Sequence, residues 1–194
     1  MGDFSKVSST AFEDLQFDAG TLLKTFDPAN PVIEDDTIIC LTTGGITPSC
    51  VPTFVDDGAD IDNVPDNMLE FKRLTGWTAT LGFTALSVSP STIKLSLGAA
   101  DISNEEGVTK ITPRNNLKET DFEDIWWVGD LKGSSKMAAV CLKKALSTGG
   151  FSLKTTKAGK GNLSVTLTGH YSITAQDEVP MDFYIGAPTT EEGA

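Results

Sequence analysis

The chain has 194 residues with 39% hydrophobic content, enough for one globular domain with a sizeable core. Twenty-seven acidic residues against 15 basic ones give a formal charge of -12. That balance excludes a nucleic-acid binder that works by neutralising phosphates, because affinity of that kind comes from Lys and Arg.

Residues 1–12 are small and polar and read as a flexible arm. A short strand is expected within residues 12–26, ended by Asp27-Pro28-Ala29-Asn30-Pro31, where two prolines remove ladder donors. A second strand begins near Ile38, bends at Gly44-Gly45, and resumes from Ile46 to Val55 with Pro48 and Pro52 inside it. Two prolines place this strand at a sheet edge or on an irregular, interface-facing stretch. Residues 56–67 form an acidic loop with five aspartates, after which Trp77, Ala79, Leu81 and Phe83 alternate with threonines and a glycine. Residues 38–84 therefore read as a hairpin with a long acidic tip.

The one well-marked helix lies over 89–98. Ser89 suits the N-cap, Pro90 the first helical position and Gly98 the stop, with Ile93 and Leu97 expected to face the sheet. Residues 101–121 read as a polar loop with a short strand near 108–111. The strand FEDIWWVG at 122–129 points Trp126 and Trp127 to opposite faces, so one of them serves a subunit contact or a second small core. Residues 137–147 favour a strand.

The clearest sheet signal is GGFSLKTTKAGKGNLSVTLTGHYSI at 149–173. Phe151, Leu153 and Thr155 share a face of one strand. Leu163, Val165, Leu167, Gly169, Tyr171 and Ile173 share a face of the next, with Lys157 and Lys160 in the turn between. A last strand is expected over 180–185, followed by a polar tail at 186–194. The fold class that follows is mainly β: a β-rich single domain with one α-helix on one side and long loops.

Chemistry-bearing patterns are sparse. The only histidine, His170, is expected mid-strand on a polar face. No GxSxG, phosphate-loop or HExxH motif occurs, and no enzyme activity or cofactor is expected. Cys40, Cys50 and Cys141 are odd in number and widely spaced, which fits buried thiols in a reducing compartment. The acidic loop is the best hard-cation candidate, through Asp57, Asp60 and Asp62, but its spacing is not that of an EF-hand. A calcium-dependent β-sandwich binding module is the alternative reading. The N-terminus has no signal-peptide core and no apolar run reaches membrane-spanning length, so synthesis in the cytoplasm without membrane insertion is expected.

Several long segments, in collinear order, resemble the major tail protein, or tail tube protein, of long-tailed phages. They are FEDLQFDAGTLLKTFDP at 12–28, TTGGITPSCVPTFVDDGADIDNVPDN at 42–67, LGAADI at 97–102, FEDIWWVGD at 122–130 and ALSTGGFSLKTTKAGKGNLSVTLTGHYSI at 145–173. The resemblance implies a β-sandwich or open barrel with one flanking α-helix and long loops, in a virion structural protein whose subunits form hexameric rings stacked into a tube. It implies sheets that continue across subunits, and passage of DNA through the lumen without sequence-specific binding. It also implies contacts with tail terminator, baseplate or tail-tip and tape-measure proteins. By position, ring and subunit contacts would fall to Phe4 in the arm, to Asp56, Asp57, Asp60, Asp62 and Asn63 in the acidic loop, and to Trp126, Lys157 and Lys160. Glu70 is the expected lumen residue.

Overall fold

The computed structural model describes residues 8, 11, 15–131 and 136–186. Ten strands and one helix follow one another: β1 (Gln16–Leu23), β2 (Thr42–Asp56), β3 (Lys72–Ala85), α1 (Pro90–Leu97), β4 (Ala100–Glu105), β5 (Val108–Pro113), β6 (Glu123–Leu131), β7 (Met137–Ser147), β8 (Ser152–Lys154), β9 (Asn162–Thr168) and β10 (Met181–Gly186). The fold is mainly β, antiparallel throughout, with a single helix, as the sequence predicts.

Strand β7 organises the sheet. Its first half, residues 137–142, pairs with β6 on one side and β10 on the other, and β1 extends the sheet beyond β6. Its last residues, Leu146 and Ser147, pair instead with β9, which leads to β3 and then β2. Between the halves the chain breaks register at Lys144, whose φ is +48. Strands that pass from one layer to another commonly do so through such a bend. The groups freed by the break all find partners. Lys144 N–H donates to Asp124 Oδ1 at 2.8 Å, Lys143 N–H to the Pro180 carbonyl at 2.9 Å, and His170 N–H to the Lys143 carbonyl at 3.3 Å.

The bend lets the two halves face each other across one core. Leu22, Ile125, Val140, Leu142 and Met181 come from the β1–β6–β7–β10 half. Ala79, Leu81, Phe83, Ala85, Leu163, Val165 and Leu167 come from the β3–β9 half. These are the alternating positions of β3 and β9, so the period-two pattern marks the core face as expected. The reverse face of the first half carries a second, smaller core of Leu23, Val128, Met137 and Ala139, capped by Phe26, Trp126 and Tyr184. Trp126 is thus used inside the chain, with its ring 5.7 Å from Phe26 and 5.4 Å from Tyr184. Trp127 turns to the main core and donates its indole N–H to the Ala19 carbonyl.

Other expectations need correction. Strand β9 ends at Thr168, so Tyr171 and Ile173 leave the core face and Ile173 is 85% exposed. The cause is Gly169: its amide bonds the Ala79 carbonyl, and the chain there runs too close to Leu142, Lys143 and Pro180 for any Cβ. β8 is only three residues long, and Phe151 and Leu153 are exposed. The helix has the predicted caps, with Thr92 N–H donating to Ser89 Oγ and Gly98 at φ +74. Its fully buried residues, however, are Thr92 and Ser96 rather than Ile93 and Leu97. Both hydroxyls are satisfied locally, by Ser89 and the Ile93 carbonyl, so small polar residues suffice for close packing. Residues 100–113 form a separate two-stranded hairpin, β4–β5, where a loop with one short strand was expected.

Candidate functional site

The β2–β3 ribbon is longer than the layer that supports it. β3 pairs with β9 only over Thr80–Ala85. Past that point the Tyr171 hydroxyl takes over, accepting from Trp77 N–H at 3.1 Å and lying 3.4 Å from the Trp77 carbonyl. From there to Lys72 the ribbon has two strands only. The outer edge of β2 pairs with no other strand among the described residues, and Pro48 and Pro52 lie along it. Val51, Phe54, Val55 and Leu74 are exposed on this stretch. Two-stranded ribbons are marginal alone in water, and a long apolar open edge invites pairing with another chain.

The tip of the ribbon is ordered by part of its own acid. Asp56 accepts the Gly58 and Asn67 amides through its two oxygens, at 3.1 and 2.8 Å. Asp57 takes a bidentate contact from Arg73, with Nε at 2.7 Å and Nη2 at 2.8 Å. The Arg73 hydrogen bond holds the Asp57 carboxyl below its ordinary value. Gly58 is buried against Val64 and Phe71. The remaining carboxylates, Asp60, Asp62, Asp66 and Glu70, are exposed and form no ion pair among the described residues.

The cation candidates Asp57, Asp60 and Asp62 are not brought together. Asp57 is committed to Arg73, and among the described residues no group of three His, Cys, Asp or Glu side chains is placed to hold a metal. Asn63 is exposed in the same loop. Glu70 sits in a short 3-10 turn, Leu69–Phe71, at the ribbon's tip and not along a strand face. Lys157 and Lys160 are exposed in the β8–β9 connection without ion pairs among the described residues. Phe4 and the tail at 187–194 lie outside the described residues, as does most of the arm at 1–12.

His170 lies just past β9, not within it. Its Nδ1 is 3.1 Å from the Lys144 carbonyl and its ring meets Phe122 edge-on at 5.3 Å. The carbonyl contact fixes the ring proton on Nδ1 and makes the residue part of the β7 bend. All three cysteines are free; burial pushes Cys40 up to about 11 and Cys141 up to about 12.

Two features escaped the sequence. One is a partly buried ion cluster: Arg114 bonds Asp121 Oδ1 at 2.5 Å, and Asp121 Oδ2 accepts the Lys118 amide at 2.8 Å. Arg114 Nε lies 3.0 Å from Asp101, a charge contact without an aligned hydrogen bond. Burial alone would raise the Asp121 carboxyl, but the Lys118 amide and Arg114 outweigh it and hold the group below its ordinary value. The other is a cavity of about 220 Å³ beside α1, lined by residues spread from Lys24 to Ser147. No local spacing signals a pocket assembled from five separate segments.

Fold and surface define an acidic, mainly β protein with an open ribbon, a charged tip and, among the described residues, unpaired sheet edges. Comparison with protein-family models and with curated proteins finds no match.

Proposed function

We propose that this chain is a self-assembling tail tube protein, a virion structural subunit whose hexameric rings stack into a conduit for DNA delivery. The observation that carries the reading is the β2–β3 ribbon: a fifteen-residue edge strand with no outer partner among the described residues, backed by a partner strand that outruns the sheet. A second open edge supports it. Among the described residues β10 pairs only with β7, and its Phe183 and Ile185 continue the apolar row of Val140 and Ala138 out into solvent, Ile185 being 78% exposed. Pairing edges between copies covers both surfaces and leaves no template for uncontrolled aggregation. The net charge of -12 suits a lumen through which a polyphosphate must slide without sticking. With Glu70 at the tip beside Leu69, its role moves from the lumen wall to contacts between rings.

Negative-stain electron microscopy of the purified protein, alone and with a tail initiator complex, tests the reading. Rings or tubes of uniform width are expected. A strictly monomeric species at high concentration, unresponsive to the initiator, overturns it.

A further inference from the structure

The wall of the molecule beside α1 is incomplete. The cavity there has Leu95, Ile125, Ala145 and Leu146 as its apolar lining, with Lys24 and Lys94 among the residues around it. Neither lysine has an ion-pair partner among the described residues. Asp121, which also borders the cavity, is committed to Arg114 and the Lys118 amide, with the Lys94 charge near enough to help hold its carboxyl low, and Glu123 is exposed. Two ammonium groups without a close ion pair among the described residues, set over an apolar floor, suit a ligand with an apolar body flanked by carboxylates.

That chemistry is present on the same chain. At the ribbon tip Leu69 is 84% exposed, Glu70 follows it, and Asp66 lies three residues before. The tip does not reach its own cavity. Leu146 pairs with Thr168, and Thr168 with Thr80, so the cavity wall is level with Thr80; the eight strand residues from there to Lys72 span ~26 Å.

We propose that the cavity of one copy receives Leu69 of the next, with Glu70 and Asp66 of the incoming tip meeting Lys94 and Lys24. The inference rests on the self-assembly reading above and names the surface that receives the tip. Knob and hole are different patches, so the contact is heterologous. It leaves a free tip at one end and a free cavity at the other, and it propagates from copy to copy instead of closing as a dimer.

Charge reversal and crosslinking test the assignment together. Glu70→Lys and Lys94→Glu are each expected to raise the concentration needed for assembly at least tenfold, with melting temperatures near that of the unmodified protein. The double variant, which restores the opposite-charge pair, is expected to regain assembly. A diazirine analogue of leucine at position 69 is expected to crosslink, between copies, to peptides containing Leu95 or Leu146. If the protein assembles but those crosslinks map elsewhere, or if the single reversals assemble normally, the cavity assignment falls and the assembly reading stands. If the protein stays monomeric with no crosslink between copies, both fall. A small molecule released from the denatured protein, with tubes forming equally well from Leu69→Asp, gives the cavity to that ligand and overturns the assignment.

Discussion

Asp124 Oδ1 accepts the amide of Lys144 at 2.8 Å, across the register break where β7 passes from one half of the sheet to the other. Lys144 occupies the left-handed region, which disfavours a residue with a Cβ by about 1 kcal/mol. The carboxylate restores the hydrogen bond that the bend removes from the ladder. Asp124→Ala is therefore expected to lower unfolding free energy by about 1–2 kcal/mol, while Lys144→Gly is neutral or stabilising. Urea denaturation of both variants checks the pair.

Gly169 is the second point on which the bend depends. A Cβ there would stand 2.8 Å from Leu142 Cδ1, 2.9 Å from the Pro180 carbonyl and 3.1 Å from the Lys143 carbonyl. Two of the three obstacles are backbone, which cannot turn aside. Gly169→Ala is expected to cost about 2–3 kcal/mol, and a thermal melt should show it. A melt identical to that of the unmodified protein would mean that the three strands separate easily.

The Arg114–Asp121 pair predicts an acid dependence. The Asp121 carboxyl is lowered from 3.8 in the folded chain. A depressed carboxyl contributes stability that is full above the unfolded value. The contribution shrinks as pH drops below that value and is gone once pH has passed through the folded one. Asp121→Asn is expected to cost about 3 kcal/mol at pH 7, because Arg114 loses its buried partner. The gap between variant and unmodified protein should narrow below about pH 3.8. A gap constant from pH 7 to pH 2 would refute the assignment.

Thiol labelling offers an independent probe of the core. Cys40 and Cys141 are buried, and burial pushes them to about 11 and about 12, so both stay protonated and screened at pH 8. Cys50, half-buried on β2, should react first with an alkylating reagent, and the other two only at the rate of global unfolding. Mass spectrometry of a labelling time course reads the order.

Assembly and folding should separate at the tip. Asp60 and Asp62 are exposed and free of ion pairs among the described residues, so replacing both with Asn is expected to move the melting temperature by little. The same change is expected to shorten or abolish tubes. Unchanged tube length with a lowered melting temperature would place these side chains in folding instead.

The sequence is legible where a strand has one wet and one dry face. Ala79, Leu81 and Phe83, then Leu163, Val165 and Leu167, alternate because β3 and β9 each have only one side against the core. The edge position of β2 follows from its prolines, and the helix limits from Ser89, Pro90 and Gly98. Legibility stops where contact replaces periodicity. Tyr171 and Ile173 keep the alternating pattern of β9 although the strand ends at Thr168, since the close approach that ends it involves residues near Leu142 and Pro180. The β4–β5 hairpin is almost wholly exposed and carries no pattern. Among candidate site residues, the acidic tip is read directly as a loop of aspartates. Which aspartates are consumed by the fold is not, because that depends on Arg73 returning from the far strand and on Asn67 folding back from the end of the loop.

The clamp on Asp57 has a chemical consequence as well as a structural one. Among aspartyl peptides, the Asp-Gly step is the most prone to spontaneous rearrangement, in which the glycine nitrogen attacks the aspartate side chain and closes a five-membered imide. At Asp57-Gly58 both reactants are restrained. The Gly58 N–H is hydrogen-bonded to Asp56 Oδ1, and the two Arg73 hydrogen bonds pin the Asp57 carboxylate in place. Replacing Arg73 with Ala is accordingly expected to speed isoaspartate formation at Asp57-Gly58, which peptide mapping of aged protein would read.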